Sequence, residues 1–596
     1  MLQRTGTGQR QTSRVNLKRV IPFLLLFIGL QYSLLLAHAQ WPPKREAWWL
    51  LGGLLVLACI PPVNRRIAKV LDAVRQPARR TQWVIAAVIC IVSAFALYFE
   101  ARHQQRSFVP RFQDEYSYLV QARMLASGRL WMPAHELAEF FTSFQLLAEP
   151  VYGSIYFPGA GISFVPGVWL GLPFWVMPLV TSAIAVGLLY LVFTELIDGV
   201  AGILGATMLL ALPMFRMTSV MALAQAPTIM LALATLLAWL RWRASMRPWR
   251  AMVFGACAGW LMITRPVDAL CVIAPIAIAA LFDLRRRERR LVATSIITVV
   301  VAAAPFLALQ VAFNLRVTGS PLRTPFDYFA DLCYPQTSFG FHGYNPSIRP
   351  KLDLPQVQKF YDVHSIPFLE QHANVTKALA AWRDVRLKTT LLELTPGPLL
   401  MMLAPVGLLG LVDRRRWVAF AILPMFVGLY FCYVFFLPHY VVIAAPAMLL
   451  TVAMAVHVFR ERWPVATALV PLAVLRLTVL ESSRFNRSAW DDVMDPGEII
   501  AIDRTLATIP SNERAIVLFR FDPRSSNPHV EPVYNTDVAW PDDARIIRAH
   551  DRGDDRNVRL FEYYAKRAPD RIVYRYDRAT GSMSRLGTVA ERASRL

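Results

Sequence analysis

Phe157-Pro158-Gly159-Ala160-Gly161-Ile162-Ser163-Phe164-Val165-Pro166-Gly167-Val168-Trp169-Leu170-Gly171-Leu172 is the stretch on which the threading of this chain turns. It is apolar, but it falls short of the roughly 20 residues a membrane-spanning helix needs, and Pro158, Gly159, Gly161, Pro166 and Gly167 interrupt it. Apolar runs of spanning length lie on both sides of it. They begin near Val20, Ala47, Gln82, Phe174, Gly199, Val220, Ala251, Val267, Leu291, Thr389, Trp417, Tyr440 and Pro464, thirteen in all. With 55% hydrophobic residues over 596 positions, the chain carries more apolar surface than one soluble core would bury. It must meet membrane lipids.

Charge decides how the interrupted stretch is counted. Lys and Arg cluster between apolar runs, as in cytoplasmic loops, so the net charge of +22 does not point to nucleic acid. Suppose the basic start of the chain (Arg4, Arg10, Arg14, Lys18 and Arg19) is cytoplasmic. The cluster from Arg65 to Arg80 is then cytoplasmic too, and the segment from Glu100 to Pro158 lies outside. Counting 157–172 as a full span would push Arg241, Arg243, Arg247 and Arg250 outside, with the block Arg285 to Arg290. Reading it as re-entrant or interfacial returns 241–250, 283–290, 413–416 and 459–463 to the cytoplasm. The run from Val20 is longer than a signal-peptide core and reads as an uncleaved anchor.

The expected fold class is therefore an all-α polytopic membrane protein of about 13 transmembrane helices with a small extracytoplasmic α/β C-terminal domain. The expected units are N-terminal transmembrane helices (1–99), an extracytoplasmic catalytic loop with the re-entrant segment (100–173), a transmembrane core (174–313), a second extracytoplasmic loop (314–388), C-terminal transmembrane helices (389–480) and the α/β domain (481–596). In the tail, the β-branched and aromatic runs Ala515 to Phe519 and Arg571 to Tyr576 read as strands, and Asn557 to Lys566 as a helix. Cys59, Cys90, Cys257, Cys271 and Cys432 fall inside apolar runs and leave Cys333 alone in a loop, so neither a disulfide framework nor a paired-cysteine metal site is expected.

Chemistry is concentrated at the outer face. Phe112-Gln113-Asp114-Glu115-Tyr116-Ser117-Tyr118 follows the third span, and a helical stretch from Leu119 to Ala126 closes at Ser127-Gly128. Carboxylates at the start of a helix are favoured by its dipole, and one beside a membrane suits a general base toward a hydroxyl or amine. An adjacent Asp-Glu pair is also what two solvated surface charges look like. His135 and Glu136 stand close enough in sequence to join Asp114 around a divalent cation, although no tight ligand spacing supports a cofactor.

Asp114-Glu115-x-x-Tyr118, followed by Ala122-Arg123-Met124-Leu125-Ala126-Ser127-Gly128-Arg129-Leu130-Trp131-Met132-Pro133, resembles the first extracytoplasmic loop of the GT-C glycosyltransferases. The resemblance is to the family 39-like group of protein O-mannosyltransferases, lipid A aminoarabinose transferases and RgtA/B/C/D-like enzymes. Tyr156-Phe157-Pro158-Gly159, Thr264-Arg265-Pro266, Thr318-Gly319-Ser320-Pro321-Leu322 and His439-Tyr440 continue it in family order. The resemblance implies a bacterial-type inner-membrane, multi-pass enzyme with a cytoplasmic N-terminus and an extracytoplasmic C-terminus. It would take a sugar from a polyprenyl-phosphate carrier and pass it with inversion to a lipid, glycan or protein acceptor. Asp114 matches the family's base, with Glu115 beside it, and Tyr118 and Arg123 belong to the same motif. Two departures are visible: two spans precede the family's first helix, and Gln225-Ala226-Pro227 stands where many relatives carry Asp-Ala-Pro.

The cationic side is read from the residues themselves. Arg265 falls at an outer turn between spans, where its planar fork suits a phosphodiester; the alternative is a structural pair with Asp268. Arg216 occupies a similar turn. His439 and Tyr440 at the mouth of a span are placed to bond sugar or phosphate or to anchor the interface, and His342 sits in a Gly-rich loop able to close over a substrate. The competing reading is a transporter or flippase of a lipid-linked sugar. That class keeps its ionisable groups near the midplane, whereas here they crowd one face.

Overall fold

The computed structural model describes residues 17–40, 45–285, 287–464, 467–482, 496–524 and 530–594. Arg4, Arg10 and Arg14, on which part of the charge reading rests, lie outside the described residues, as does the start of the tail at 483–495.

Among the described residues, five helices are long and apolar enough to cross a membrane: Arg79–His103, Val176–Leu196, Pro266–Leu284, Arg289–Thr318 and Pro438–Arg462. The pair Arg45–Ala58 and Pro61–Arg75 would make a sixth if its 101° bend lay within one span. Others of the thirteen expected runs form helices that are shorter or broken, because composition marks an apolar run and only backbone continuity makes it one long helix. The run from Thr389 is cut into Leu387–Glu393, Pro398–Met401 and Ala404–Gly407. Pro396, Pro398 and Pro405 withhold donors from a continuous helix there. Gly199–Ala211 ends where Pro213 opens the next short helix, Pro213–Thr218.

The interrupted stretch forms a single short helix, Pro158–Trp169, with Pro158 in its first turn. Gly171, in the left-handed region at φ +63°, turns the chain after it. Most of this helix is buried, and it packs on the helix Gln113–Ala126, which begins at the Asp-Glu pair rather than at Leu119. Gly159 is the point of closest approach to its surroundings. Its N–H donates to the Ile263 carbonyl at 2.7 Å, and its own carbonyl accepts from Trp260 Nε1 at 2.8 Å. A Cβ on Gly159 would run into Ile263 O and Thr264 Oγ1. The short helix is therefore fastened to the turn that carries Arg265.

The tail has the expected α/β character. Its four-stranded sheet runs in the order Ile546–His550, Ala515–Arg520, Ile572–Asp577, Ser582–Thr588; the first three strands are parallel and the last antiparallel. Helices Gly497–Leu506 and Asp554–Ala565 accompany it. This unit shares a core with the first loop: Tyr116, Val120, Phe140 and Phe141 cluster with Ile516, Tyr534, Leu560 and Phe561. Tyr116 stacks on Tyr534 at 4.7 Å, and the Tyr534 hydroxyl donates to Phe144 O at 2.8 Å. Each fully buried side chain of this size stabilises the joint fold by about 1.5–3 kcal/mol.

Candidate active site

Asp114 and Glu115 are neighbours in sequence but, about 100° apart around a helix, they face different surroundings. Glu115 is only 1% exposed. One of its oxygens accepts from the N–H groups of Arg111 (2.8 Å) and Phe112 (3.3 Å), capping the helix start, and the other accepts from Ala222 N–H at 2.9 Å. Burial pushes its pKa up to about 7, and the three backbone donors only partly oppose this. Glu115 thus holds the loop helix to the segment before the helix Gln225–Ser245. Gln225, the departure from the family pattern, is buried beside that segment, and its Oε1 accepts no hydrogen bond among the described residues.

Asp114 is half-buried. Burial raises its pKa above the ordinary carboxylate value, while a hydrogen bond from Tyr156 and the charge of Arg265 pull it down. Tyr118 stacks on Tyr156 with ring centres 4.6 Å apart. Across from them is Arg265, in extended conformation just before the helix Pro266–Leu284. Its Nε bonds Asp268 at 2.5 Å, and its Nη2 donates to the Tyr430 hydroxyl at 3.1 Å. That hydroxyl donates in turn to Asp268 at 2.7 Å. The guanidinium lies 4.7 Å over the ring of Tyr440, against which His439 packs edge-on. Nη1 makes no hydrogen bond among the described residues. Both sequence readings of Arg265 therefore have a physical basis: the pair with Asp268 exists, and it leaves one side of the fork for an anion.

The structure brings Asp114, Tyr118, Arg265, His439 and Tyr440 into one interacting cluster, although they come from segments more than 300 positions apart. It does not bring Arg123, His342 or Glu115 there. Arg123 Nε donates to Thr536 O of the tail at 3.3 Å, and His342 bonds Phe339 O within its own exposed loop. Arg216 is paired with Glu100 at 2.8 Å. The grouping of His135 and Glu136 with Asp114 around a cation is corrected. His135 pairs with Asp542 at 3.0 Å and Glu136 with Arg567 at 2.8 Å, both in the tail, which draws them away from Asp114. Among the described residues, no three His, Cys, Asp or Glu are arranged to hold a metal ion. Tyr156, Tyr430 and Asp268 emerge as parts of the cluster. Of these, Tyr430 lies in a run that reads as an apolar span, where a single hydroxyl near the end of the helix Ile422–Phe431 was the signal available.

The sequence matches no protein-family model and no curated protein. Among solved structures, the chain is similar to ArnT from Cupriavidus metallidurans bound to undecaprenyl phosphate. The TM-score is 0.42 at 13% identity, covering 84% of this chain and 94% of that one. It is also similar to the Archaeoglobus fulgidus oligosaccharyltransferase tethered with an acceptor peptide (TM-score 0.44, 11% identity, 82% of this chain and 68% of the other). A third is the arabinofuranosyltransferase AftD from Mycobacteria (TM-score 0.39, 14% identity), where 74% of this chain matches 30% of that one.

Proposed function

We propose that this protein is a membrane glycosyltransferase that moves a sugar from a polyprenyl-phosphate carrier to an extracytoplasmic acceptor with inversion at the anomeric carbon. The observation that carries the proposal is a half-buried carboxylate, Asp114, set beside Tyr156 and Tyr118 and within electrostatic reach of the Arg265 guanidinium. In the proposed reaction, the acceptor's hydroxyl or amine attacks the anomeric carbon while Asp114 takes its proton. The carbon–oxygen bond to the phosphate breaks on the opposite face, and the bonding pair leaves with the phosphate. Arg265 meets the negative charge left on the polyprenyl phosphate, and Asp268 and Tyr430 hold the guanidinium in place so that it need not reorganise during the reaction. A raised carboxyl pKa makes Asp114 a stronger base than a free aspartate once it is ionised.

The test is transfer by purified protein from a synthetic polyprenyl-phosphate sugar, compared with Asp114→Asn. The amide keeps the shape and removes the base, so transfer should fall by about a hundredfold or more with no change in elution or melting. Undiminished transfer by Asp114→Asn would discard the assignment. Vesicles in which the wild type moves the lipid-linked sugar across the bilayer without cleaving it would replace the enzyme with a flippase.

A further inference from the structure

A cavity of about 350 Å³ opens where the loop helix, the short helix Pro158–Trp169 and the tail meet. Its size falls within the range of small-molecule sites, roughly 300–1,000 Å³. Leu119, Phe164, Leu172, Phe174 and Met177 make its apolar wall, and Arg123 and Asp537 its charged edge. Leu172, Phe174 and Met177 lead into the span Val176–Leu196, and beside them Trp169 is 69% and Leu170 71% exposed. Large bare apolar side chains at the end of a span mark the membrane interface, with tryptophan at head-group level. A lipid at that interface would lie next to the cavity's apolar wall.

The two charges are held apart. Arg123 spends only its Nε, on Thr536 O, and its Nη1 and Nη2 make no hydrogen bond among the described residues. Asp537 is exposed and makes no hydrogen bond or ion pair among them. One guanidinium and one carboxylate over an apolar wall match a head group that carries both a phosphate and an ammonium, with the start of an acyl chain against the wall. An anionic head without an amine would gain Arg123 and be repelled by Asp537. We infer that this cavity binds a zwitterionic phospholipid of the phosphatidylethanolamine type, drawn from the adjoining leaflet and bridging the loop helix to the tail domain. The inference is independent of glycosyl transfer.

Full-length protein in mild detergent, stripped of lipid and titrated with phosphatidylethanolamine or phosphatidylglycerol, would be read by native mass spectrometry. The wild type should retain phosphatidylethanolamine about tenfold more tightly than phosphatidylglycerol, and Arg123→Gln should weaken that retention by a similar factor. Asp537→Asn changes an exposed side chain, so it keeps the test open if Arg123→Gln fails to fold; it should bring the two lipids to equal retention. Equal retention of both lipids by the wild type would overturn the proposal. So would displacement of bound phosphatidylethanolamine by polyprenyl phosphate. No sugar transfer is read, so failure of the glycosyltransferase proposal would leave this result standing.

Discussion

At the residue scale, the cluster's behaviour should follow from which form of Asp114 works. The base must be ionised, and burial raises its pKa, so transfer should fall on the acid side at a pH above the ordinary aspartate value of about 3.9. Tyr156 holds that pKa down through its hydrogen bond. Tyr156→Phe should therefore move the acid limb of kcat/KM further up in pH; a limb that moved down would contradict this arrangement. For Arg265, the Ala variant should weaken donor use most, and Lys should restore only part of it, since a point charge cannot occupy both the Asp268 and Tyr430 positions. Asp268→Asn should raise the KM for donor with little loss of yield. An equal loss of yield in both Arg265→Ala and Asp268→Asn would reduce the pair to a structural strut. Asp114 and Arg265 stood out in the sequence because Asp114 falls in the motif that carries the family resemblance and because an Arg between spans is costly to place unless it is paired. Tyr156 was legible only as part of a motif and Tyr430 only as part of an apolar run, since their contacts reach 42 positions back to Asp114 and 165 back to Arg265.

At the scale of elements, the join between the short helix and the Arg265 turn depends on one missing side chain. Gly159→Val should force Thr264 and Ile263 apart from the helix, cost about 1–3 kcal/mol as overpacking does, and lower the melting temperature. The start of the loop helix carries a pH dependence of its own. Glu115 holds its proton up to about pH 7 when folded, against a value near 4.5 for the unfolded chain. Between those values the folded state binds more protons than the unfolded one. Stability should therefore fall as pH rises through that window, by about 3 kcal/mol at most, and level off above it. Thermal unfolding at pH 5 and pH 8 measures this, and Glu115→Gln should flatten the difference; greater stability at pH 8 in the wild type would refute the account. The number of spans was the least legible feature. Apolar content is the same in a continuous helix as in one cut at Pro396, Pro398 and Pro405, and only the neighbours that satisfy the freed carbonyls decide whether the cut is made.

At the scale of the molecule, the charge clusters set an orientation that reporter fusions would check. Fusions after Glu481 and within 314–388 should report one side, and fusions near Arg287 and Arg415 the other. A C-terminal reporter on the same side as Arg287 would overturn the threading. The α/β character of the tail could be seen in its alternating runs; its docking could not, because the partner of Tyr534 lies 390 positions earlier. That separation has a consequence for how the protein is made. At roughly 5–20 residues per second, the ribosome emits Tyr534 some 20–80 s after Phe144, and until then Tyr116, Phe140 and Phe141 lack the surface that covers them. A nascent or prematurely terminated chain has an unfinished first loop, open to proteases and chaperones. Synthesis thus imposes an order: the loop that bears Asp114 is consolidated only after the strands and helices between Ile516 and Val589 have been made.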